Sequence, residues 1–164
     1  MQVLVSDTNI WIDLHNGGLL DVAFTLPYQF VTTDFAAAEL QQPSAQHLKD
    51  MGLVVLSLAA SDVQRLSHLA ATLRKASMAD MSCYLLAEKN PHWRLLTGDG
   101  EVRRSARNAG LTCNGILWLL DELFTAYPSM GNALAQALRA MVARDAWLPR
   151  DECEQRLQRW CGEE

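Results

Sequence analysis

Four carboxylates stand on four separate stretches of this 164-residue chain, each beside an apolar segment: Asp7, Glu39, Asp80 and Asp99. Asp7 follows the apolar run 3–5 and Ser6. Glu39 ends a helical stretch amid Ala36, Ala37, Ala38 and Leu40, where the helix dipole disfavours an acid. Asp80 lies near the start of an otherwise apolar helix, in Ser77-Met78-Ala79-Asp80, and Asp99 sits in Leu95-Leu96-Thr97-Gly98-Asp99-Gly100. Singly, each of three has a bland reading: Asp7 as a helix cap, Asp99 as a turn residue, Asp80 as a first-turn acid that suits the dipole. Together the four need a common explanation, and hard cations such as Mg²⁺ or Mn²⁺ supply one, because they take oxygen ligands. Two such ions about 4 Å apart clamp an in-line phosphoryl displacement. They also let an acidic protein meet a polyanion.

The elements that must position these acids follow from periodicity. The run 3–5 is a buried strand, and residues 8–14 read as a helix through Ile10, Trp11 and Leu14. Residues 30–32 form a second strand, followed by a helix through Phe35, Ala38 and Leu40. A third apolar run spans 53–56. Ser61 or Asp62 is expected to cap the next helix, and Ser77 the helix 79–88. Residues 93–97 are a strand closed by Gly98-Asp99-Gly100. A helix over 101–108 ends at Gly110, and 111–114 is a short last strand. Helices over 115–126, 132–144 and 150–160 complete the chain. Strands alternate with helices, which predicts an α/β/α sandwich around a mainly parallel sheet, with a C-terminal helical extension. The expected organisation is a catalytic unit over 1–126 and an extension over 127–164 packed on it. In such sheets ligands bind beyond the carboxyl ends of the strands, where Asp7 and Asp99 are expected.

Composition narrows the class. Hydrophobic residues make up 49% and charged residues 20%, as in a globular domain. The apolar run 51–60 falls far short of the roughly 18 residues of a membrane span. The opening residues show neither a basic region nor a cleavage site, so a cytoplasmic protein without membrane attachment is expected. The formal net charge of −5 argues against coating nucleic acid by charge alone. All 14 Lys and Arg residues lie after position 48, and five acids without a base precede it, so the acidic excess lies in the first third. Cys83, Cys113, Cys153 and Cys161 form no metal-ligand spacing and are expected to be free thiols. On one helix, Cys153 and Cys161 would stand about 12 Å apart, too far for a disulfide. His15, His47, His68 and His92 form no ligand pair.

The motifs, in order and spacing, resemble the PIN-domain nucleases, and within them the VapC-like ribonuclease toxins. The resemblance covers about residues 2–124. It rests on Val3-Leu4-Val5-Ser6-Asp7-Thr8-Asn9-Ile10-Trp11-Ile12-Asp13-Leu14, Glu39-Leu40, Ser77-x-x-Asp80 with Ala87, Leu95-Leu96-Thr97-Gly98-Asp99, and Gly115-Ile116-Leu117-Trp118-Leu119-Leu120-Asp121. It implies that Asp7, Glu39, Asp80 and Asp99 hold Mg²⁺ or Mn²⁺ and cleave RNA to leave a 3′-hydroxyl. Asn9 would orient Asp7 or a water, and Ser77 or Thr97 would steady the ligands. It further implies a small antitoxin as protein partner, and it accommodates a homodimer.

Departures from the pattern are the extra acid Asp34, and Gly100-Glu101 where many relatives carry a further acid. Arg103 and Arg107 share one helix face and are candidates for phosphate contact, against the alternative of a solvated face. Arg139, Arg144, Arg150, Arg156 and Arg159 are interleaved with acids and read as ordinary surface. Of the five tryptophans, Trp11 is the best candidate for stacking on a base; Trp93, Trp118, Trp147 and Trp160 read as core or interface.

Two rivals remain. A haloacid-dehalogenase-like phosphatase needs Asp-x-Asp, and position 9 is Asn, which cannot serve as its general acid. A catalytically silent PIN-like binding module is the rival from another class. No P-loop or dinucleotide fingerprint occurs. The sequence therefore predicts a metal-dependent endoribonuclease acting on single-stranded or structured RNA, as the toxin of a toxin–antitoxin pair.

Overall fold

A computed structural model describes residues 1–144 and 146–162. Five strands form one all-parallel sheet: β1 (Gln2–Ser6), β2 (Tyr28–Thr33), β3 (Val54–Leu56), β4 (Arg94–Leu96) and β5 (Cys113–Asn114). Their spatial order is β3-β2-β1-β4-β5. The chain builds outward from β1 to β3, then returns to the other side of β1 to place β4. The order reverses between β1 and β4, where Leu4, Val5 and Ser6 lie beside Arg94, Leu95 and Leu96. A crevice opens at the carboxyl ends of strands at such a reversal.

Helices cover both faces. They are α1 (Thr8–Asn16), α2 (Leu20–Ala23), α3 (Asp34–Glu39), α4 (Ala45–Met51), α5 (Ala60–Thr72), α6 (Met78–Lys89), α7 (Gly100–Asn108), α8 (Ile116–Ala126), α9 (Gly131–Ala143) and α10 (Arg150–Cys161), with a 3₁₀ turn at Pro128–Met130. The strands are buried on both faces, so they read as continuous apolar runs. Leu4, Phe30 and Leu96 point into one core with α1, α8, α9 and α10. Val5, Val31 and Leu95 point into the other with α5, α6 and α7. This alternation is the period of two inherent in a strand.

The C-terminal helices belong to the first of these cores. Leu134, Leu138, Met141 and Trp160 pack in the same cluster as Ile10 and Leu14. The approach of α9 to α10 is close enough that a Cβ on Gly131 would lie 2.0 Å from the Trp160 carbonyl oxygen. Gly110 ends α7 as expected, with φ of +78°.

One expectation changes and two short helices are added. α5 starts at Ala60, capped by Ala59 without a side-chain bond, so Ser61 and Asp62 lie inside its first turn. Asp62 pairs there with Lys89 at 2.8 Å. α2 and α4 carry no apolar period long enough to read. α4 buries only Leu48, although Ser44 caps it by accepting from the His47 N–H. The cysteines are free thiols, three of them buried. No helix among the described residues is long and apolar enough to cross a membrane.

Candidate functional site

Asp7 leaves β1 at the crevice and is 0% exposed. Its own N–H continues the sheet pairing by donating to the Leu96 carbonyl at 3.2 Å. Its carboxylate caps α1, with Oδ1 accepting from the Ile10 N–H at 3.2 Å. Oδ2 accepts from the Thr97 hydroxyl at 2.6 Å and the Gly98 N–H at 3.3 Å. A carboxylate offers roughly four acceptor sites, so one stays open. Burial pushes its pKa up to about 7, the Asp80 charge adds to that, and the bonds from Thr97, Ile10 and Gly98 pull it back.

Asp80 comes from the other side of the sheet, at the start of α6. It and Ser77 form a reciprocal capping box: the Ser77 N–H donates to Asp80 Oδ2 at 3.3 Å, and the Asp80 N–H donates to Ser77 Oγ at 3.0 Å. The pair fixes the carboxyl at the crevice, where it is 8% exposed. Burial raises its pKa and the Asp99 charge raises it further, against hydrogen bonds from Ser77 and with Asp7. Asp99 follows β4 and caps α7, accepting from the Val102 N–H at 2.8 Å. Its own N–H donates to Thr97 Oγ1 at 3.1 Å.

Asp80 thus lies within electrostatic reach of both Asp7 and Asp99, the three standing on three elements. Among the described residues, none of the three has a Lys, Arg or His ion-pair partner. Neighbouring buried carboxyls cannot all ionise without a proton or a cation between them. That chemistry fits a hard divalent ion, with Asp7 and Asp80 as its holders and Asp99 beside them. Among the described residues, no group of three or more His, Cys, Asp or Glu is gathered tightly enough to hold an ion unaided.

Glu39 stands differently. It is the exposed last residue of α3, a helix that packs on α6. No hydrogen bond or ion pair ties it to the other three acids. Asp34 is exposed and accepts from the neighbouring Phe35 N–H. Glu101 accepts from the Lys75 N–H at 3.2 Å, which braces the segment before α6.

Beside the acids lies a cleft of about 390 Å³, bordered by Asn9, Gly98, Arg103, Arg107 and Gly115. Asn9 is exposed at its lip. Gly115 leaves room for the Arg103 guanidinium, whose Nη1 is 3.2 Å from where a Cβ would sit. Thr97 is 1% exposed and links Asp7 to the Asp99 backbone.

Trp11 requires a correction. It is 0% exposed, stacked on Phe24 at 5.4 Å and edge-on to Phe30, so it is core and offers no face to a base. Its helical spacing with Ile10 and Leu14 puts it on the buried face of α1. Two cleft residues escaped the sequence reading. Asp13, four residues after Asn9 on α1, is half-buried on the cleft wall, where burial pushes its pKa up to about 6. Trp147, in the connection between α9 and α10, is 97% exposed on the cleft rim. Helical spacing was a signal for Asp13; none existed for Trp147.

A PIN-domain family model, DUF3368, matches residues 3–161, so the match runs through α9 and α10 as well as the sheet. Among solved structures, the chain is similar to a PilT N-terminus domain protein from the hyperthermophilic archaeon Sulfolobus solfataricus P2. The TM-score is 0.50 at 13% identity, over 74% of this chain and 93% of that one. That likeness is one of fold. A comparison with curated proteins finds no match. With a parallel sheet reversing at Asp7 and a family match along nearly its whole length, the chain belongs to the PIN-domain family, a nuclease-type fold.

Proposed function

We propose that the chain is a Mg²⁺- or Mn²⁺-dependent endoribonuclease. The observation that carries this reading is Asp80 facing the charges of both Asp7 and Asp99 at the strand reversal, with no basic ion-pair partner for the three among the described residues. A divalent cation, when bound, supplies Lewis acidity toward the scissile phosphate and a nucleophilic water. The chain's own residues do the rest. Thr97, Gly98 and Ile10 hold Asp7 in one orientation, and Ser77 does the same for Asp80. Glu39 serves as the fourth acid from α3, as the resemblance implies. Asn9 orients Asp7 or a water, and Arg103 and Arg107 hold the phosphate backbone. The toxin role, a small antitoxin partner, a homodimer and a cytoplasmic location rest on the resemblance and are part of the same proposal.

One observation favours a silent binding module instead: among the described residues no group of three or more acids is gathered tightly enough to hold an ion. Cleavage of a labelled single-stranded RNA separates the two readings. Purified protein is assayed in Mg²⁺, Mn²⁺ and EDTA, each beside Asp7→Asn. Cleavage that needs metal and vanishes in the variant supports the nuclease. No cleavage by a folded wild type in any metal supports the silent module.

A further inference from the structure

We infer that Trp147 is a stacking platform for an unpaired base of single-stranded RNA, presented at the rim of the arginine-bordered cleft beside the acids. This rests on the ribonuclease reading and extends it to how the strand is held. Trp147 is 97% exposed, while Trp11 and Trp160 are buried. The Ala146 N–H donates to the Met141 carbonyl at 3.0 Å, and Ala146 and Leu148 on either side pack against the core. The backbone is pinned on both flanks while the indole stands in solvent. Leaving so large an apolar face in water is unfavourable, and an isolated stability role does not account for it.

What the indole overlooks gives the ligand class. The same cleft is bordered by the acids Asp13 and Glu152 and by Arg103, Arg107 and Arg144, and none of these three arginines has an ion-pair partner among the described residues. Arg156 is there as well, but Asp121 engages it at 2.8 Å. Gly98, whose N–H bonds Asp7, borders the cleft as well. Guanidinia in a groove with an aromatic platform are the two parts of single-strand recognition. A duplex keeps its bases stacked and cannot use the platform. A strand held at the acids and by Arg103 and Arg107 has Trp147 bordering the same cleft.

The test compares wild type, Trp147→Ala and Trp147→Phe binding a mixed-sequence single-stranded oligoribonucleotide, in EDTA and in Mg²⁺. Acrylamide quenching is read as the difference between wild type and Trp147→Phe, which isolates this indole from the other four. RNA is expected to shield Trp147. Trp147→Ala is expected to weaken binding roughly 5- to 150-fold, with Trp147→Phe between, and duplex RNA is expected to show no such dependence. Equal RNA binding by wild type and Trp147→Ala overturns the inference and leaves the nuclease standing. Absence of single-strand binding by wild type in both buffers overturns it together with RNA as the substrate. Self-association lost in Trp147→Ala, with RNA binding intact, makes the residue a protein contact and overturns it too.

Discussion

Thr97 donates its hydroxyl to Asp7 Oδ2 at 2.6 Å while accepting the Asp99 N–H at 3.1 Å. One buried side chain thus joins the acid at the end of β1 to the acid at the end of β4, across the reversal in strand order. It sets the orientation of Asp7 and lowers its pKa against the effect of burial.

Thr97→Val removes both bonds at nearly constant shape. We expect a stability loss of about 1.5–3 kcal/mol, the range for a buried hydrogen bond to a charged group. Asp7 then titrates higher, so the acidic limb of the cleavage rate moves to higher pH. Thr97→Ser restores the limb. Urea melts and a pH–rate profile measure the two effects, and an unmoved limb would remove Thr97 from the control of Asp7.

Asp7 makes metal-free stability fall with pH. Its carboxyl titrates at 3.8 in the ordinary case and at about 7 in the fold. The folded state therefore binds more protons between those values. This contribution is fully present below pH 3.8 and is lost as pH rises to about 7. Asp13, raised to about 6, acts in the same direction. Urea midpoints in EDTA are expected to drop from pH 5 to pH 8. Asp7→Asn reduces the drop, since Asn caps a helix about as well as Asp and carries no charge.

The two tryptophans at the extremes of burial separate cleanly. Trp11→Ala, in the aromatic cluster with Phe24 and Phe30, costs about 3–5 kcal/mol. Trp147→Ala stays within about 0.5 kcal/mol of wild type. Thermal melts of both variants check the contrast.

Gly131→Ala places a methyl group against the Trp160 carbonyl and forces α9 from α10. Overpacking of this kind costs about 1–3 kcal/mol. The loss is read by thermal melting, with cleavage retained at temperatures where the variant is folded. An unchanged melting temperature would show that the two helices do not share the close contact.

Much of this was readable before any coordinates, and the reasons are local. Asp7 follows an apolar strand run, and Ser77 stands three residues before Asp80, the spacing of a capping box. Both signals lie within a few residues of chain. The parallel sheet followed from alternation of strands and helices, but the strand order did not, because alternation leaves open on which side of β1 a later strand lies. Glu39 could be placed at the end of α3, but whether its carboxylate joins the others depends on how α3 lies on α6, which no local spacing encodes. The exposure of Trp147 was hidden for a related reason. Burial is decided by which side of an element meets the sheet, and a connection between two helices carries no period to reveal it.

The central claim is that the acids at the strand reversal hold a divalent cation. Titration of Mn²⁺ into metal-free protein, followed by calorimetry, tests it most directly, with wild type beside Asp7→Asn, Asp80→Asn and Glu39→Gln. The account predicts binding to wild type, loss of that binding in Asp7→Asn and Asp80→Asn with the fold intact, and a smaller weakening in Glu39→Gln, whose carboxylate is solvated. Equal Mn²⁺ binding by wild type and the Asp7 and Asp80 variants would contradict it.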